Sequence, residues 1–279
     1  MSSPLARIGR LVHVEAQKVI GGRTLRTGVI AVAAVTALTA WTHVRVAEET
    51  AWTLTAAALG AGLWAAEIFL LVAGTTTIAG ETAQGTLKMI LPHAYRRSDW
   101  IVAKGLVLAA QALVLLLTAT LVAAVAGRFA GGLGDVTQTI DASFGGEGRV
   151  EVLQSKAEMS GHLADALVVS LAALIGTALL GLFLSCLFDG VVPALSTGFL
   201  LFLGIKSAGT LFGASPELLA KVYATYPTEM LTRVEKLGRG FAERWNPDLY
   251  ATGLGLAAML VAGSLLLALV VFSRRDLQA

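Results

Sequence analysis

Apolar residues in this chain run in long uninterrupted blocks. Six of these approach or exceed the ~20 residues that cross a bilayer's hydrocarbon core. They lie at roughly 27–43, 51–79, 101–127, 163–188, 191–212 and 249–272. The first is short and rich in Thr and Ala. The fourth and fifth are separated only by Phe188-Asp189-Gly190, with Pro193 just beyond, the chemistry of a tight reversal. No unit of roughly 20–50 residues repeats. The predicted fold is an all-α integral membrane protein, one transmembrane domain over 1–279 with six spanning helices.

Three segments break this pattern. In 1–26, Leu5, Ile8, Val12, Ala16 and Val19 recur at helical spacing, with Arg7, Arg10, Gln17 and Lys18 on the other face. Ser3-Pro4 opens that helix and Gly21-Gly22 closes it. Such a helix either lies in the membrane interface against anionic headgroups or packs on the protein's own inner face. Residues 128–162 interleave Gly131, Gly132, Gly134, Gly145, Gly146 and Gly148 with Asp135, Asp141, Glu147 and Glu151, which predicts an irregular outer loop. Its carboxylates lack the alternating oxygen ligands of a calcium loop, so no metal site is expected. Over 213–248, Ser215-Pro216 starts one short amphipathic helix. A second, after a break at Pro227, carries Met230, Val234, Leu237, Phe241 and Trp245 on its apolar face. This pair is expected to cover the outer mouth of the bundle.

Composition narrows the class further. Apolar residues make up 56% of the chain and charged residues 14%, and the mean hydropathy is +0.73. A water-soluble domain carries about 25% charged residues, so a nucleic-acid binder and a disordered chain are excluded. The single cysteine, Cys186, rules out an intrachain disulfide. The net charge of +2 says little, but its distribution says more. With the N-terminus inside, the inner segments hold Arg7, Arg10, Lys18, Arg23, Arg26, Lys88, Arg96, Arg97, Lys104, Arg274 and Arg275. Against them stand only Glu15, Glu81, Asp99, Asp189 and Asp276. The positive-inside rule then places both termini in the cytoplasm and the chain in the cytoplasmic membrane.

On that topology, 80–100 is the longest cytoplasmic connection between spans. Leu87, Ile90 and Leu91 form a small apolar face on a short helix that Pro92 ends, and Ser98 stands ready to cap the next span. Gly80-Glu81 followed by Gly85-Thr86-Leu87-Lys88, then Arg97-Ser98 and Lys104, gives G-E-x-x-x-G-T-L-K and R-S-x-x-x-x-x-K. This pattern, in this position, resembles the permease subunit of type-2 ABC transporters. So do the basic amphipathic helix before the first span, the helical material between spans five and six, and the ending Phe272-Ser273-Arg274-Arg275-Asp276-Leu277.

The resemblance implies a permease homodimer above two copies of a separate ATPase, which would bind ATP and magnesium; this chain itself would hold no cofactor. Gly80, Glu81, Gly85, Thr86, Leu87, Lys88, Ile90 and Leu91 would couple the two. It also implies contact with membrane lipids and leaves room for an extracytoplasmic accessory protein. Permeases of this family mostly export, and they handle lipids, glycans, peptides and drugs. The sequence is consistent with an ATPase held elsewhere: a phosphate-binding P-loop places Lys directly after Gly, and no lysine here follows a glycine.

Glu67 and Lys206 fall inside predicted spans, where an ionisable group is costly unless paired or facing water. They either line a translocation path or form a buried pair. A gradient-driven transporter or channel is the alternative function, and it would call for more such charges. An intramembrane enzyme would need a nucleophile–base or metal constellation at depth, and none of His13, His43, His93 or His162 lies deep in a span. A scaffold without transport is also open.

Overall fold

Within a nonpolar layer a backbone must satisfy its own N–H and C=O groups, so apolar blocks of this length become helices. A computed structural model describes residues 4–44, 50–86, 96–140, 149–211, 226–241 and 245–274. The helices are α1 (Pro4–Gly21), α2 (Arg23–Val44), α3 (Ala51–Thr77), α4 (Ala79–Ala83), α5 (Arg97–Phe129), α6 (Lys156–Leu187), α7 (Val191–Leu211), α8 (Tyr226–Gly238) and α9 (Pro247–Arg274). Five of them, α2, α3, α5, α6 and α9, are long and apolar enough to cross a membrane. The chain is a multi-pass membrane protein. The predicted fifth span is α7, whose fully described apolar stretch, Val191–Ser207, is shorter than these five.

α3 is the centre of the bundle. It has no polar face to turn toward water, and Leu54, Leu59, Leu63, Leu70 and Leu71 are all buried. Two of its buried threonine hydroxyls are satisfied within the helix: Thr55 donates to the Ala51 carbonyl at 2.7 Å and Thr75 to that of Leu71 at 2.8 Å. α2, α5, α6, α7 and α8 all pack on it. The contact with α6 is backbone-close at Gly74 and Gly181. A Cβ on Gly181 would stand 2.9 Å from the Leu71 carbonyl oxygen, and one on Gly74 would collide with that of Ala178.

The chain crosses back and forth, so the bundle has two distinct ends. One gathers α1, α4, the start of α5 and the end of α9. The other gathers the starts of α3 and α6 with α8. Here the segment 128–162 departs from the predicted irregular loop. Val136–Ile140 (β1) and Arg149–Gln154 (β2) pair antiparallel, with Thr137 opposite Val152 and Gln138 opposite Glu151. Among the described residues the fold is therefore all-α apart from this one pair of strands. β2 alternates polar and apolar side chains from Arg149 to Val152, a period-two signal that the surrounding glycines and acids obscure, whereas β1 is β-branched but apolar only at its ends, Val136 and Ile140. Gly131 and Gly132, at φ +123° and +86°, turn the chain out of α5. Ser155 and Glu158 then form a reciprocal capping box, so α6 starts at Lys156, earlier than predicted.

The second predicted outer segment is corrected as well. α8 starts at Tyr226 with Pro227 as its second residue, where a missing N–H costs nothing, and the chain before it lies outside the described residues. α8 ends at Gly238, with Gly240 at φ +80°, so Phe241 lies beyond it and is exposed. The other predicted face residues hold, because Met230, Val234 and Leu237 are buried. Val234 and Leu237 join Trp52, Ala56, Val136 and Met159 in one apolar cluster that seals this end, with Trp245 packed against it. The first helix predicted for 213–248 lies outside the described residues.

Candidate functional site

At the opposite end, α3 stops at Thr77 and α4 begins at Ala79, with Ile78 belonging to both boundaries. The buried hydroxyl of Ser185 on α6 makes this bend: Ile78 and Ala79 donate their backbone N–H groups to its Oγ at 2.8 and 2.7 Å. α4 then ends through Gly85, whose φ of +69° is left-handed, a conformation glycine adopts without penalty. Thr86 Oγ1 donates back to the Glu81 carbonyl at 3.1 Å. Gly80, Glu81, Gly85 and Thr86 thus form a tight turn of helix fixed to α6. Leu87, Lys88, Ile90 and Leu91, and the helix predicted for them, lie outside the described residues.

Glu81 faces a cluster of charges drawn from three helices. Lys104 Nζ, on α5, donates to Glu15 Oε2 and Glu81 Oε1, both at 2.9 Å. Lys18 Nζ, on α1, donates to Glu15 Oε1 at 2.6 Å and to Glu81 Oε1 at 3.2 Å. Two cations and two carboxylates alternate in a closed ring. The Trp100 ring lies beside it, 4.7 Å from Lys104 Nζ and 5.3 Å from that of Lys18, within cation–π range. The Lys104 side chain is only 2% exposed. A buried ammonium of this kind depends on its partners, and removing one carboxylate leaves a charge without compensation.

Burial works against ionisation of Glu15, yet Lys104 and Lys18 outweigh it and hold this carboxyl below its usual range. Burial also opposes the charge on Lys18, and Glu15 and Glu81 outweigh it, so its ammonium is held above its usual range. Arg7 and Asp99 form a further pair at 3.4 Å. Arg97 reaches the last turn of α9, donating to the Ser273 carbonyl at 3.3 Å. Cations are favoured at a helix C-terminus, where carbonyls lack intrahelical partners.

The ring also determines where α1 sits. The helix packs on α5, with Leu11 buried against Trp100 and Ala103, while Leu5, Val14 and Ile20 stay exposed. α1 thus packs against the protein's own surface and keeps an apolar edge free, an arrangement that either placement allows. A cavity of about 180 Å³ opens beside the ring, lined by Val19 and Thr24 at the α1–α2 bend, Thr76 and Thr77 of α3, and Gln111.

Glu67 and Lys206 lie together elsewhere, between α3 and α7, with Glu67 Oε2 2.8 Å from Lys206 Nζ. The structure unites these two, and it places Glu81 with Glu15, Lys18 and Lys104, but the two groups are separate. Glu15, Lys18 and Trp100 were not site candidates from sequence. Two local signals pointed to them: Glu15 and Lys18 stand one turn apart on α1, and Lys104 follows Trp100 by one turn at the mouth of an apolar block. Compared with protein-family models and with curated proteins, the chain matches none.

Proposed function

We propose that this chain is the membrane-spanning permease subunit of a type-2 ABC exporter, driven by a separate ATPase. In this reading α7 crosses as well, as the fifth of six spans, both termini are cytoplasmic and the ring end faces the cytoplasm. The protein then works as a homodimer in the cytoplasmic membrane. Gly80, Glu81, Gly85 and Thr86, with Leu87, Lys88, Ile90 and Leu91 beyond them, carry force from the ATPase; ATP and magnesium bind only there.

The observation that supports this reading is the attachment of Glu81. A segment meant only to connect two spans needs no fixed geometry. This one is pinned by Ser185 on α6 and joined through Lys104 to α5 and α1. A push on α4 therefore reaches α5 and α1 through short, charge-assisted bonds, which are stronger than neutral ones, and α6 through the neutral bonds to Ser185.

The test is co-purification from the native membrane. The wild-type chain is expected to bring down a stoichiometric ATPase, and Leu87→Asp with Ile90→Asp is expected to lose it while the chain remains folded. Undiminished ATPase recovery with the double variant would overturn the docking assignment. Solute movement by the purified chain alone would favour a gradient-driven transporter. The one structural feature favouring that second reading is the intramembrane Glu67–Lys206 pair.

A further inference from the structure

At the end of the bundle away from the ring, a cavity of about 670 Å³ lies between the last turns of α5 and the first residue of α6. Arg128 enters it from α5 and Lys156 from α6, and Gly131, Gly132 and Gly134 line the loop side. A Cβ on any of these three glycines would meet no atom within 4 Å, so the loop leaves this space open. Among the described residues neither cationic side chain forms an ion pair. Asp135 accepts the Lys156 backbone N–H at 2.6 Å, which holds the start of α6 against the loop.

Below the cavity, α5 carries a continuous apolar stripe. Val114, Leu117, Leu121 and Val125 are 39%, 57%, 67% and 46% exposed, and they succeed one another at three- and four-residue steps that lead directly to Arg128. From Val114 to Val125 such a stripe rises about 16 Å, close to half of a hydrocarbon core of about 30 Å. A single arginine at the end of a span needs nothing beyond water to explain it. Here a second cation arrives from another helix, across a cavity, above an apolar track one leaflet deep.

We infer that this cavity binds the phosphate headgroup of an anionic phospholipid, held between Arg128 and Lys156 with an acyl chain along Val114–Val125. Two cations around one phosphodiester suit its charge, and arginine can offer it two parallel N–H donors. The apolar stripe favours a lipid over a free anion, since inorganic phosphate would gain nothing from it. This inference is independent of the ATPase reading and of which face of the membrane this end occupies.

Native mass spectrometry of the full chain, titrated in detergent with phosphatidylglycerol or phosphatidylcholine, tests it. Phosphatidylglycerol is expected to be retained in preference to phosphatidylcholine. Arg128→Ala and Lys156→Ala should each weaken its retention about fivefold, the effect of one basic residue beside an anionic lipid. Leu121→Asp, which interrupts the track and leaves both cations in place, should weaken it too. The control Arg233→Ala with Arg239→Ala, which removes two cations at the same end of the bundle where each test variant removes one, should leave it unchanged. Equal loss in that control would mean general charge attraction and overturn the site. Displacement of the lipid by millimolar inorganic phosphate would mark a free-anion site and overturn the lipid assignment.

Discussion

The two ends of this bundle are closed by opposite chemistries. At one, Trp52, Ala56, Val136, Met159, Val234 and Leu237 form an apolar cluster, with neutral hydrogen bonds such as that from Trp52 to the Gly134 carbonyl at its edge. At the other, Glu15, Lys18, Glu81 and Lys104 close a ring of charges. Apolar contact is non-directional and changes little with pH or salt, so the first end behaves as a fixed lid. An ionic ring holds only while every member is charged and in place. It can hold a helix firmly and also release it in one step. The contrast suggests that the hairpin end is built for permanence, and that motion, where the protein moves, belongs to the end carrying α1 and α4.

The largest effect is expected at the lid. Trp52→Ala removes a buried aromatic ring together with the indole N–H that donates to the Gly134 carbonyl at 2.8 Å. It should destabilise the chain by about 4 kcal/mol, since truncating a buried large aromatic leaves a cavity. Unfolding in detergent should show the same loss at low and at high salt. A strong salt dependence would break the comparison, because it would mean that charges also hold this end.

Next comes the ring. Lys104→Ala leaves Glu15 and Glu81 facing each other with only the partly exposed Lys18 between them, and should cost about 3 kcal/mol. Lys104→Met combined with Glu15→Gln should cost less than the sum of the two single changes, with a coupling of about 1–3 kcal/mol. Additive effects would show that the pair does not hold α1. Cysteine cross-linking between α1 and α5 supplies a second readout: it should fall in the Lys104 variants and persist in Trp52→Ala.

This division was only partly legible in the sequence. Five of the six spans were, because long apolar blocks have few alternatives, and so was the reversal at 188–190. The inward face of α8 could be read from Met230, Val234 and Leu237, whose spacing is a local property. Glu67 and Lys206 were also within reach: two opposite charges in apolar helices are costly apart, and the structure places them 2.8 Å apart. The ring was not legible, because Lys104 and Glu15 stand 89 positions apart and meet only through the angle at which α1 crosses α5. The hairpin was missed for a different reason. Alternation covers only Arg149 to Val152 of β2 and is lacking in β1, and the neighbouring glycines and acids suggest a loop more strongly than so short a period suggests a strand.

The smallest expected effect is also the most selective. Glu15 is held below its usual carboxyl range, so its contribution to docking α1 is complete above the unfolded value near 4.5. It is lost only as pH falls through the lower folded value. Lys18 is held above its usual range, so its contribution is complete below an unfolded value near 10.5. That contribution disappears as pH rises through the higher folded value. Docking of α1 should therefore be flat across neutral pH and weaken only at the acidic and strongly alkaline extremes. On the acid side the loss should be smaller than in Lys104→Ala, because Lys104 keeps its bond to Glu81 when Glu15 takes a proton. Fluorescence of Trp100, isolated as the difference from a Trp100→Phe variant, reports this directly, since Lys18 and Lys104 both lie over its ring. The signal should hold steady between pH 6 and pH 8 and shift below about 4.5. Glu15→Gln should remove the acid-side shift. A shift centred near neutrality, or one that survives in Glu15→Gln, would mean that another group governs how α1 is released.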